Sequence, residues 1–110
     1  MVTSGIVRGE IWMAVLDPTV GSEINKARPC VVVSPPEMHD WLRTVIVAPM
    51  TTGSKSAPFR IPIAHDGKRG LILLDQIRTL DKVRLSQRLG AVSAKTLDAT
   101  LAALQELFAK

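Results

Sequence analysis

The chain has 110 residues, 46% of them hydrophobic and 22% charged: enough apolar material for one compact core, too little length for a second domain. Fourteen Lys and Arg against ten Asp and Glu give a net charge of +4, which leans towards anionic partners such as nucleic acid. One cysteine excludes an internal disulfide, and no stretch nears the ~20 apolar residues of a membrane span.

In chain order, GEIWMAVLD (9–17) is apolar and is predicted to be a strand. DPTVGSE (17–23) is turn chemistry, opened by Asp-Pro-Thr and relaxed by Gly21. A second strand, β-branched and short, covers 29–34. PPEMHDWL (35–42) is read as a connection with a short helical turn. RTVIVAPMT (43–51) is a third strand whose Pro49 cannot donate to a ladder, which predicts an edge or an early end there.

TTGSKSAP (51–58) is a small, hydroxylated, basic loop. FRIPIA (59–64) is a fourth strand with an outward Arg60. HDGKRG (65–70) is a hairpin turn on Asp66-Gly67. GLILLDQI (70–77) is apolar enough to be a central strand. RTLDKVRLSQ (78–87) reads as a polar connection with a helical turn and RLGAV (88–92) as a short last strand. From Ser93, a plausible N-cap, Leu97, Leu101, Leu104 and Phe108 recur at spacings of four, three and four. That is an amphipathic helix with one apolar face for the sheet. The sum is a mainly β domain over 1–110, a strongly bent sheet or partial barrel closed by a C-terminal helix. A domain this small favours a homodimer. The N-terminus shows no basic-then-apolar signal pattern, so the cytoplasm is the expected location.

Few residue sets suit chemistry. A two-histidine acid–base ribonuclease would need His39 and His65 in one pocket, but they fall in a connection and a turn and read as surface histidines. No Cys/His spacing fits a metal, and no glycine-rich loop precedes a helix. The one long helix has a single lysine before its last residue, which does not suit a major-groove reader. Aromatics make up 4% with no Tyr, too few for a sheet that stacks bases. Cys30 reads as a small buried hydrophobe, with a reactive thiol near Arg28 as the alternative. There remains Arg28 at a strand start, with Glu23 and Lys26 beside it, and Thr51-Thr52 at a strand end followed by Ser54 and Lys55. A guanidinium fork and a hydroxyl on adjoining strand ends can hold a phosphate, while a solvated Arg and a Thr-rich turn is the plainer reading.

Four stretches, RGEIWMAVLDPTVGSE (8–23), ARPCVVVSP (27–35), VIVAPMTT (45–52) and LILLDQIRTLDKVRL (71–85), together resemble the MazF/PemK toxins of bacterial toxin–antitoxin systems. The resemblance implies a small SH3-like partial β-barrel of the PemK/CcdB type, homodimeric. It also implies sequence-specific cleavage of single-stranded RNA without ribosome, metal or cofactor. A cognate antitoxin would insert an acidic disordered segment into the RNA groove, and the complex would bind DNA. By the same resemblance Arg28 and Thr51 are catalytic, and the acidic Glu23 beside them is a third catalytic residue, either a base or a group that orients Arg28. Asn25, Lys26, Thr52, Ser54 and Lys55 lie on loops that shape the RNA groove, and Gln76 and Arg78 follow Asp75 in the Asp-Gln-x-Arg motif. The plasmid-borne branch of the family uses a His, Arg and Asp set. Here Ser22 and Leu73 replace the first two, so Asp75 is read as a carboxylate that accepts hydrogen bonds. The expected reaction is attack of the RNA's own 2′-hydroxyl on phosphorus, leaving a 2′,3′-cyclic phosphate and a 5′-hydroxyl. Two other readings stay open: a CcdB-like poison of gyrase acting through the hydrophobic C-terminus FAK (108–110), and a nucleic-acid-binding barrel without catalysis.

Overall fold

A computed structural model describes residues 5–110; residues 1–4, part of the stretch read for a signal pattern, lie outside it. Seven strands alternate with short turns: β1 (Glu10–Val15), β2 (Ala27–Val32), β3 (Thr44–Thr51), β4 (Arg60–His65), β5 (Lys68–Leu73), β6 (Arg78–Asp81) and β7 (Leu85–Ala91). Helix α1 (Pro36–Trp41) bridges β2 and β3, and α2 (Ala94–Phe108) ends the fold. Single 3-10 turns at Leu74–Gln76 and Lys82–Arg84 flank β6. The spatial order is β4-β5-β3-β2-β1-β7, antiparallel throughout, with β6 paired to the start of β3.

The Cys-Val-Val-Val run is apolar because its two faces pack into different clusters. Cys30 and Val32 join Ala14, Leu16, Val45, Val47 and Leu80. Val31 and Val33 join Ile11, Ala48, Met50, Ile72 and Leu74. A strand buried on both faces has no polar side to present. Helix α2 covers the second cluster with Ala103 and Leu104. Its start is capped as expected, Ser93 Oγ accepting from Thr96 N at 3.1 Å. Phe108, placed on the apolar face by its spacing, is instead 71% exposed at the last helical position. Thr100 is buried in its stead, its hydroxyl bonded back to Thr96 O at 2.8 Å.

Three further expectations change. β3 is a central strand and not an edge, though it does end close to Pro49, at Thr51, the other outcome the proline allowed. Proline is tolerated because β6 pairs residues 44–47 and β5 pairs 50–51, so that side of β3 has no strand opposite Pro49. Residues 78–87 contain the expected helical turn, at Lys82–Arg84, but are not otherwise a connection: four of them form β6 and three open β7. The polar look of β6 follows from its position, since Leu80 is its one buried side chain. The apolar stretch 70–77 leaves the sheet after Leu73, and its buried Leu74 belongs to a 3-10 turn.

His39 is no surface residue; it is fully buried. One ring nitrogen lies 2.6 Å from Ser34 Oγ and the other 3.0 Å from Ile6 O, which ties α1 and the N-terminal segment to the sheet. Near the start of β1, Glu10 is 8% exposed and gathers three donors: Arg88 Nε at 2.5 Å, Val7 N at 2.7 Å and Trp12 Nε1 at 3.3 Å. Burial works against its charge, but the bonds from Arg88, Val7 and Trp12 outweigh it and hold its pKa below the usual 4.5. Such a carboxylate stabilises the fold above its unfolded pKa, and that contribution fades as pH falls through the folded one. Glu10→Gln is therefore expected to cost about 1–3 kcal/mol at neutral pH. Chemical denaturation should show the deficit shrinking below about pH 4.

Candidate active site

The sheet curls until its two end strands approach each other. His65, the last residue of β4, lies against β7, its Cε1 3.8 Å from the point where a Cβ on Gly90 would be. Between those edges opens a cavity of ≈ 590 Å³. Met13, Pro29, Met50, Ile63 and Leu89 supply apolar walls, and Arg28, Thr51, Thr52, His65, Asp66 and Lys68 supply the polar ones.

Arg28 sits in β2, opposite Ala14 of β1. Its Nε donates to Asn25 O at 3.1 Å, which orients the guanidinium and leaves both terminal nitrogens without partners among the described residues. Asn25 and Lys26 form an exposed bend, with Lys26 in the left-handed region at φ +64°. Leu16 N caps that bend by donating to Lys26 O at 2.9 Å. Thr51 ends β3, and its Oγ1 accepts from Gly53 N at 3.3 Å, so the hydroxyl hydrogen is left to donate. β5 packs tightly beneath it: a Cβ on Gly70 would stand 2.6 Å from Thr51 O. The adjoining strand ends thus bring together a guanidinium fork and a hydroxyl, both with donors to spare.

The other predicted residues divide. Thr52 lines the same cavity. Glu23, Gln76 and Arg78 do not; with Ser22, Ile24 and Asp75 they line a second cavity of ≈ 500 Å³. Glu23 accepts from Val20 N within its own turn. Gln76 Oε1 accepts from Ile24 N at 2.7 Å, pinning the 20–27 loop, and Arg78 Nη1 donates to Leu16 O at 3.1 Å. Both side chains hold loops in place, whatever else they bind. Ser54 and Lys55 lie on the 51–58 loop outside both cavities, with Lys55 O accepting from Arg60 Nη1 at 3.1 Å.

Cys30 is fully buried, and burial pushes its thiol up to about 12, with Arg78 acting weakly in the other direction. It packs as a hydrophobe and serves no nucleophilic role. Asp75 takes a bidentate ion pair from Arg60, at 3.1 Å to Nε and 3.0 Å to Nη2. The Arg60 bond, against a smaller effect of burial, holds the Asp75 carboxyl below its usual value. It accepts hydrogen bonds from an arginine, the arrangement the sequence reading expected of it. Asp75→Asn is expected to keep RNA cleavage within about threefold of the parent while lowering the melting temperature slightly, since a surface pair, its side chains 20% and 29% exposed, contributes little. Cleavage assays and thermal melts on one preparation check both halves.

One residue of the cavity reads in the sequence as a surface histidine, His65. The predicted turn began at 65, yet β4 runs through it, and the turn is only Asp66-Gly67, both at positive φ. The signal was the alternation: Ile61, Ile63 and His65 are spaced by two, so one strand face carries all three.

A bent antiparallel half-barrel, backed by a terminal helix and open at a mouth with spare cationic and hydroxyl donors, defines a small anion-accepting β domain. Residues 7–108 match the family model for the PemK-like, MazF-like toxin of type II toxin–antitoxin systems. The chain is 34% identical to Endoribonuclease PemK of Escherichia coli, over 94% of this chain and 83% of that one. It is also 34% identical to Endoribonuclease EndoA of Bacillus subtilis, over 91% of each. MazF from Deinococcus radiodurans has the same fold, with a TM-score of 0.82 at 28% identity over 93% of this chain and 94% of that one. The chain belongs to the PemK/MazF toxin family.

Proposed function

We propose that this chain is the toxin of a type II toxin–antitoxin pair: an endoribonuclease that cuts single-stranded RNA at a preferred sequence, without a metal. The observation that carries this reading is the cavity shared by Arg28 and Thr51, each with unused donors, in a chain whose relatives are named endoribonucleases. The 2′-hydroxyl attacks the adjacent phosphorus and the 5′-oxygen departs, leaving a 2′,3′-cyclic phosphate. Negative charge builds on the non-bridging oxygens. The Arg28 fork meets two oxygens of that phosphate, and Thr51 donates to it from the facing strand. The apolar walls exclude water and strengthen both contacts. Unstacked bases of a single strand reach the flanking loops at Asn25, Lys26, Thr52, Ser54 and Lys55, with Gln76 and Arg78 in the second cavity extending the path.

The domain spans 1–110, acts as a homodimer, and works in the cytoplasm; among the described residues no helix is long and apolar enough to cross a membrane. A MazE–MazF complex from Deinococcus radiodurans has a toxin chain with a TM-score of 0.74 to this one at 25% identity. A cognate antitoxin with an acidic segment suits a chain of net charge +4 and a mouth lined by Arg28 and Lys68. The test is to incubate purified protein with a long naked RNA in excess chelator and map the new ends. Discrete 5′-hydroxyl ends are expected. Intact RNA, with gyrase inhibition or salt-dependent binding in its place, overturns the reading in favour of a poison or a non-catalytic binder.

A further inference from the structure

The reaction proposed above leaves one role unfilled. A proton must leave the attacking 2′-hydroxyl, and a guanidinium offers donors and no acceptor to take it. Glu23, the acidic residue suggested by sequence, faces the other cavity and is occupied by Val20 N. We propose that His65 is the general base of this site. The inference rests on the RNA-cleaving reading of the cavity.

Three observations converge on it. His65 lines the cavity that holds Arg28 and Thr51. Its ring is held against β7, where Gly90 has no side chain to displace it. Among the described residues neither of its nitrogens has a hydrogen-bond partner, whereas both nitrogens of His39 are engaged in the core. An imidazole that is held in place yet unbonded is free for a ligand. The charged groups around it are Arg28 from β2, Lys68 from β5 and Asp66 from the turn; β7 contributes Leu89 and Gly90.

The step balances within the site. The 2′-oxygen forms its bond to phosphorus as its proton passes to a His65 nitrogen. The P–O5′ bond breaks with its electron pair going to O5′, which takes a proton from water. The hydroxide so formed removes the proton from the imidazolium, and His65 returns to neutral.

Single-turnover cleavage of a defined RNA by the full chain tests this, with His65→Ala and His65→Gln compared with the parent. Both variants are expected to cut at the parent's sites about 10²–10⁴-fold more slowly. They should bind an RNA carrying a 2′-deoxy residue at the cut site as the parent does. Added imidazole should restore part of the rate of His65→Ala. The parent's rate should fall on acidification, and the variants should lose that limb of the profile. Parent-like rates in either folded variant, or a loss confined to binding, overturn the proposal. If the parent itself leaves RNA intact, the fault lies in the ribonuclease reading, because that result precedes any comparison with the variants.

Discussion

Replacing Arg28 by lysine is expected to slow RNA cleavage by about 10²–10³ while leaving the fold intact. Among the described residues the Arg28 side chain makes one hydrogen bond, Nε to Asn25 O, and its terminal nitrogens are unpartnered. Little of the fold depends on it, so the unfolding free energy should change by no more than the ~0.5 kcal/mol typical of a surface substitution, and the melting temperature correspondingly little. Lysine keeps the charge and loses the planar fork, so long-range attraction of RNA survives while two-point contact with the phosphoryl oxygens does not. The loss therefore belongs in the rate at saturating RNA and not in KM. Single-turnover kinetics and a thermal melt on one preparation give both readings. Cleavage at the parent rate would remove the guanidinium from the transition state.

Gly70→Ala should damage the same site from beneath. No unusual backbone angle is needed at this glycine; the constraint is space. A Cβ there would stand 2.6 Å from Thr51 O, 3.3 Å from Thr51 C and 3.7 Å from Thr52 Cα. All three are backbone atoms, so the end of β3 must shift. The overpacking is expected to cost about 1–3 kcal/mol. The accompanying displacement of the Thr51 hydroxyl by a fraction of an ångström to an ångström should lower the rate on the order of 10²-fold. Gly21→Ala and Gly53→Ala, where a Cβ meets nothing within 4 Å, are the controls for adding a methyl group as such. Gly21 also has φ +56°, so its variant carries a backbone strain that Gly53→Ala does not. If Gly70→Ala melts and cleaves like Gly53→Ala, then β5 does not position Thr51.

Much of this molecule is legible in its sequence where one local pattern has one physical cause. The β-branched run 29–34, the Asp66-Gly67 hairpin and the leucine spacing of α2 each report a burial face or a positive φ directly. The failures share a cause too: they concern what lies across the sheet. Pro49 announces a missing donor, but only tertiary pairing shows that β3 is central and the donor is missing where β6 has ended and β5 not begun. β6 looks like a loop because a four-residue strand with one buried side chain has no room for periodicity. Two histidines look alike in sequence. One is sealed between Ser34 and Ile6, and the other is left open at a cavity, because of which strands curl past them. The candidate site was half legible. Arg28, Thr51 and Thr52 do share a cavity, but Glu23 and Gln76, close to them in motif terms, serve the neighbouring one. Motif spacing conveys which residues occur together in a family; it does not tell which wall of a folded sheet each one faces.

The most direct test is a crystal structure of the chain with an RNA strand made uncleavable by a 2′-deoxy residue at the mapped cut site. The scissile phosphate is expected between β2 and β3, with Arg28 terminal nitrogens and Thr51 Oγ1 at about 2.7–3.1 Å from its oxygens. A phosphate seated beside Arg78 in the second cavity, with Arg28 and Thr51 pointing into solvent, would contradict the account.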